Sequence, residues 1–74
     1  MIPVETIHVD QILAGKGNDS DKTRVVLSID RRRHEAETEV FRNGKSLGRS
    51  TLFLRTLAQW ADRDITPTKS EAST

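Results

Sequence analysis

The sequence predicts a small α+β domain, a three- to four-stranded antiparallel meander sheet with one C-terminal helix packed on one face and a disordered C-terminal tail. Three observations carry that expectation. Residues 23–41 hold two consecutive runs in which apolar and polar side chains alternate with period two, the pattern of half-buried strands. Asn43-Gly44 supplies the pair of φ > 0 residues that a tight hairpin turn demands. Phe53, Leu54, Leu57, Ala58, Trp60 and Ala61 recur at helical spacing and form a broad apolar stripe.

Taken in order, residues 4–13 mix β-branched and polar residues in partial alternation, which predicts a first strand with Ile7 and Val9 on one face. Residues 14–22 gather Gly, Asn, Asp and Ser without an apolar anchor and read as a mobile surface loop. Thr23 to Asp30 then places Val25, Leu27 and Ile29 on one face. Beyond Arg31-Arg32-Arg33-His34, the residues Ala36, Thr38 and Val40 alternate against Glu35, Glu37, Glu39 and Phe41. A hairpin follows. If Arg32 and Arg33 are its turn, Ile29 faces Ala36, Leu27 faces Thr38 and Val25 faces Val40, so the apolar members share one side. Arginine does not favour φ > 0, and a longer, more open loop at the same tip fits equally well.

The Asn43-Gly44 turn sets Arg42 opposite Lys45, Phe41 opposite Ser46, Val40 opposite Leu47 and Glu39 opposite Gly48. Ser50 or Thr51 can cap a helix running to about Arg63. After Ile65 the chain holds Pro67, several Ser and Thr residues and little apolar content. Residues 1–65 are therefore expected as one domain and residues 66–74 as a disordered tail.

At 74 residues the chain holds one domain, near the size at which only about 60% of the unfolded surface is buried on folding. Only 34% of the residues are hydrophobic, with Phe41, Phe53 and Trp60 as the aromatics, so little material exists to wall a deep substrate pocket. A non-enzymatic chain is expected. Cysteine is absent, which removes disulfides and thiolate metal sites. The opening residues carry no basic and then apolar leader, and no long apolar run occurs, so a cytoplasmic setting without a membrane is expected.

Motif chemistry is sparse. Gly44-Lys45-Ser46 matches the end of a phosphate-binding loop, but Glu39 stands where that loop needs its first Gly, and the context is a hairpin. Asp19-Ser20-Asp21 opens like a calcium loop, yet Arg24 and Asp30 stand where Gly and Glu belong. His8 with Asp10 falls short of a zinc ligand set, and no serine sits in a nucleophile elbow. No cofactor or metal is expected.

Charge distribution is more telling than the net +1: residues 24–49 carry seven basic groups against four acidic ones. Arg31, Arg32 and Arg33 at the hairpin tip can fork onto phosphates or onto a partner's carboxylates. Arg24 and Phe41 are expected on the adjoining outer face, and these five residues form the predicted contact set. The acidic row Asp30, Glu35, Glu37 and Glu39 repels a nucleic-acid backbone laid across the sheet. The expected function is therefore a small regulatory adaptor or inhibitor that binds a larger protein of the transcription or nucleic-acid-processing machinery, such as RNA polymerase. Direct DNA or RNA binding by the same tip and a structural role in a larger assembly are the alternatives, and oligomeric state is left open.

Three resemblances accompany this reading. From Thr38 through Asp62 the order strand, Asn-Gly turn, strand and helix is similar to the second half of double-stranded RNA-binding domains. Those domains clamp RNA with a lysine pair opening the helix, where this chain has Ser50-Thr51-Leu52-Phe53. The RNA role is therefore not carried over. The sheet-plus-helix plan also resembles the arm-site DNA-binding domains of some integrases, whose sheet face enters the major groove, a fit that the acidic outer face of this chain opposes. The short meander, the Asn-Gly-Lys-Ser-Leu-Gly turn and the Trp-bearing helix are similar to small phage inhibitors of host machinery, including anti-CRISPR proteins and RNA polymerase inhibitors, which implies a protein partner.

Overall fold

The computed structural model describes residues 1–66. Five antiparallel strands make one sheet: β1 (Ile12–Gly15), β2 (Lys22–Asp30), β3 (Glu35–Arg42), β4 (Lys45–Phe53) and β5 (Ala61–Asp64), in the order β4-β3-β2-β1-β5. A short helix α1 (Leu54–Trp60) carries the chain from one sheet edge to the other. The α+β class stands, but five strands replace the expected three or four. The tail expected from residue 66 lies, apart from Thr66, outside the described residues; the Thr66 hydroxyl accepts a bond of 2.7 Å from the Ile12 N–H.

The first strand begins later than the alternation predicts. Val4–Thr6 forms a 3-10 turn closed by the Ile7 N–H onto the Val4 carbonyl at 3.1 Å. Asp10 then adopts φ 71, which breaks the extended run. Ile7 is consequently buried while Val9 is 47% exposed, and the pairing strand is the next four residues. Ala14 and Gly15 belong to that strand rather than to a mobile loop. Gly15 is required there, because a Cβ would lie 2.6 Å from the Asp19 carbonyl oxygen and 2.7 Å from the Trp60 ring.

The β2–β3 hairpin keeps Ile29 opposite Ala36, with an open turn over Arg31–His34 in which His34 takes φ 57. Its register changes between Val26 and Ser28, where a bulge makes Leu27 the extra residue. One added residue reverses the alternation. Val26 therefore faces Thr38 in the core and Arg24 faces Val40, whereas Val25 pairs with Glu39 on the outer side. The expected pairs Leu27–Thr38 and Val25–Val40 are displaced for that reason.

The Asn43-Gly44 turn forms as expected, with φ 52 and 82, and sets Arg42 against Lys45 and Phe41 against Ser46. A second irregularity between Val40 and Phe41 then brings Val40 to Gly48 and leaves Leu47 54% exposed rather than in the core. Ser50–Phe53 continue β4 instead of opening the helix, because they complete the backbone ladder to residues 35–38 of β3. The two turns of α1 are too short to be stable alone, and its buried Leu54, Leu57 and Ala58 at i, i+3 and i+4 hold it on the sheet. Phe53, expected on the helix stripe, ends the strand 59% exposed. Residues 61–63, expected as helix, instead join Asp64 in a fifth strand along the open edge of β1.

The core is Ile7, Leu13, Val26, Ala36, Leu54, Leu57, Ala58 and Ala61, with Ile2, Ile29, Leu52 and Trp60 against it. No helix among the described residues is long and apolar enough to cross a membrane. Truncating the fully buried Leu57 to Ala is expected to cost about 2–5 kcal/mol in urea denaturation. Val26→Ala should lower the urea midpoint more than Val25→Ala, the opposite of what uninterrupted alternation from Ile29 requires.

Candidate functional site

The tip between β2 and β3 is built by Asp30. Its carboxylate accepts from the backbone N–H of Arg32 at 3.0 Å and of Arg33 at 3.2 Å, a local Asx-type arrangement that fixes the turn. Arg31, Arg32 and Arg33 are all exposed. Among the described residues, only a long 3.9 Å contact from the Arg33 Nε to Asp30 engages any of the three guanidiniums in an ion pair. The turn is shaped while its charges stay available.

Beside it lies an open groove of about 570 Å³, lined by Val4, His34, Phe53, Leu54, Arg55 and Thr56. His34 links the two features, because it follows Arg33 in the turn and its carbonyl accepts the Leu54 N–H at 2.7 Å. That bond joins the tip to the start of α1. Val4 and Phe53, 39% and 59% exposed, make the groove's apolar wall, while Arg55 adds a fourth cation.

Arg24 does not belong to this surface. It lies near the other end of β2, on the inner side with Val26, so the five predicted contact residues do not form one patch. Its Nη1 donates to Thr38 Oγ1 and Ser50 Oγ, both at 2.8 Å, and its Cζ stands 5.1 Å from the Trp60 ring centroid, within cation–π range. Burial pushes the Arg24 guanidinium below its usual value, opposed by the nearby Asp19 carboxylate. Phe41 is half-buried on the outer side between Thr23 and Ser46, also away from the tip.

Asp19 completes that second cluster. Its carboxylate accepts from Trp60 Nε1 at 2.9 Å and pairs with Lys22 Nζ at 3.2 Å, so the segment expected to lack an anchor has a polar one. The bond from Trp60, then the one from Lys22, hold the Asp19 carboxyl below the usual carboxylate range. At Asp64 burial acts upward but is outweighed by hydrogen bonds from Gln11 and Thr66, again lowering the value. Among the described residues no group of three or more His, Cys, Asp or Glu is placed to hold a metal ion.

The sequence reading placed His34 in the tip run but missed Val4, Phe53 and Arg55 as its neighbours, since their meeting depends on how distant segments pack. Trp60 carried one readable signal: an indole N–H packed against the core needs an acceptor, and Asp19 is that acceptor. No known protein family, curated protein or solved structure matches this chain.

Two outcomes follow from these contacts. Arg24→Ala should cost about 1–3 kcal/mol of stability in urea denaturation, by removing charged hydrogen bonds to the hydroxyls of buried Thr38 and half-buried Ser50, whereas Arg49→Ala at an exposed site stays within about 0.5 kcal/mol. Asp19 and Asp64 have folded values below their unfolded ones, so their stabilisation is complete above the unfolded value and is lost as pH falls through the folded one. The thermal midpoint should therefore decline below about pH 4, and the decline should be shallower in Asp19→Asn.

Proposed function

We propose that the chain is a small non-enzymatic regulatory module that binds a protein partner at the β2–β3 tip and its adjoining groove. The observation that carries this reading is the conjunction of three exposed arginines on a fixed turn with an open apolar groove walled by Phe53 and Val4. Arginine and aromatic side chains dominate the energetics of protein interfaces, where anchors enter apolar depressions ringed by charge. The matching ligand is a protein segment that presents carboxylates to Arg31, Arg32, Arg33 and Arg55 and an apolar side chain to the groove.

A nucleic-acid strand fits this surface less well. Asp30 and Glu35 pair across the base of the tip, and Glu37 and Glu39 continue the acidic outer row along β3. A phosphate backbone leaving the tip would meet those carboxylates.

Affinity capture from lysate with nuclease treatment, followed by measured affinity for the purified partner, tests the proposal. Association should survive nuclease, disappear on joint reversal of Arg31, Arg32 and Arg33 to Glu, and weaken about thirtyfold in Phe53→Ala, equivalent to about 2 kcal/mol. Unchanged binding in both variants defeats the proposal. So does capture that nuclease removes and that weakens steeply and linearly in log salt, the signature of phosphate contacts.

A further inference from the structure

The opposite end of the sheet carries a second polar cleft, independent of the tip. Its volume is about 310 Å³, near the lower bound of spaces that hold small molecules, about 300–1,000 Å³. Lys22 and Arg24 from β2 and Arg49 from β4 line it together with Asp19, Ser50 and Trp60. Lys22 and Arg24 against Asp19 leave its walls one positive, and Arg49, opposite Glu39 on the exposed edge strand, adds a second positive charge at the rim.

The one anion is already engaged by Trp60 Nε1 and Lys22 Nζ. Arg24 is less completely satisfied. Its Nη1 is held by Thr38 and Ser50, but its Nε is buried and has no hydrogen-bond partner among the described residues. A buried guanidinium N–H without an acceptor is costly, and native structures rarely leave one so. Ser50 Oγ accepts from Arg24 and keeps its own hydrogen to donate. Arg49 is exposed at the rim and forms no ion pair among the described residues. The Ser50 hydroxyl, Lys22 and Arg49 thus give the cleft donors and positive charge in excess of its own acceptors, while the sealed Arg24 Nε adds charge rather than an accessible donor.

We propose that this cleft binds a phosphate dianion, either free or as the terminal group of a small phosphomonoester. A dianion offsets the two excess positive charges, and its oxygens accept from guanidinium and ammonium donors arranged on more than one side. The confined volume and the presence of Asp19 oppose a continuous polyanion, whose diester groups each carry a single charge. Trp60 supplies one wall, its ring held by Asp19 and Arg24.

Trp60 is the only tryptophan in the chain and so reports on the cleft by its own fluorescence. The full chain is titrated with sodium phosphate and with ribose 5-phosphate, with chloride balancing ionic strength. A saturable change is expected. Lys22→Gln at a half-buried position and Arg49→Gln at an exposed one should each weaken binding about tenfold with far-UV circular dichroism unchanged. Asp19→Asn, which keeps an acceptor for the indole, should tighten it. Equal affinities for the two probes assign the site to the free anion; ribose 5-phosphate binding at least tenfold more tightly assigns it to a monoester. A change that chloride alone reproduces, affinity indifferent to both Gln substitutions, or equal binding of an oligonucleotide lacking terminal phosphates overturns the proposal.

Discussion

Leu27 is the extra residue in β2, and the phase it sets determines which side chains meet inside the sheet. Past the bulge Ile29 faces the core; before it the inner positions are Val26 and Arg24. An arginine is thereby committed to the inner side of a domain with a small core. That arginine cannot shed its charge, so its surroundings must supply acceptors and polarisable surface. Thr38 and Ser50, from the next two strands, give the acceptors, and Trp60 gives its ring. Trp60 in turn needs an acceptor for its own N–H and finds Asp19, which gives the β1–β2 connection a tertiary anchor. A single inserted residue thus leads to a network across β2, β3, β4, α1 and the connection after β1.

The two ends of the sheet consequently differ in kind. At the β2–β3 end, arginines on a turn held by Asp30 stand beside an apolar groove. At the other end, the bulge and the Trp60 contact gather cations around a polar cleft. Balanced net charge conceals this, because Asp19, Asp21 and Asp30 each have local cationic contacts, with Lys22, Arg42 and Arg33 respectively. Among the described residues Arg31, Arg32 and Arg55 beside the tip and Arg49 beside the cleft have no such ion pair.

The acidic outer row has a similar local explanation. Glu39 pairs in register with Val25 and Arg49 and accepts from the Ser46 hydroxyl, while Glu37 lies between Ser28 and Thr51. These carboxylates sit half-buried among hydroxyls and aliphatic stems. They give the sheet a polar outer surface.

Much of the local structure was legible in the residues. The two strands flanking Arg31–His34, the Asn43-Gly44 turn, the Ile29–Ala36 pair, the helical stripe through Leu54, Leu57 and Ala58 and the exposed arginine tip all follow from periodicity and turn chemistry. Such signals are local, because alternation, turn dihedrals and i, i+3, i+4 spacing are properties of a few consecutive residues. The bulge at Leu27, the extension of β4 through Phe53, the pairing of β5 with β1 and the inward turn of Arg24 were not legible. Each depends on which backbone groups another segment leaves unpaired, and that becomes defined only when the strands are laid side by side. The tip was therefore readable as a cluster of arginines, but its groove and the cleft at the far end exist only where distant strands meet.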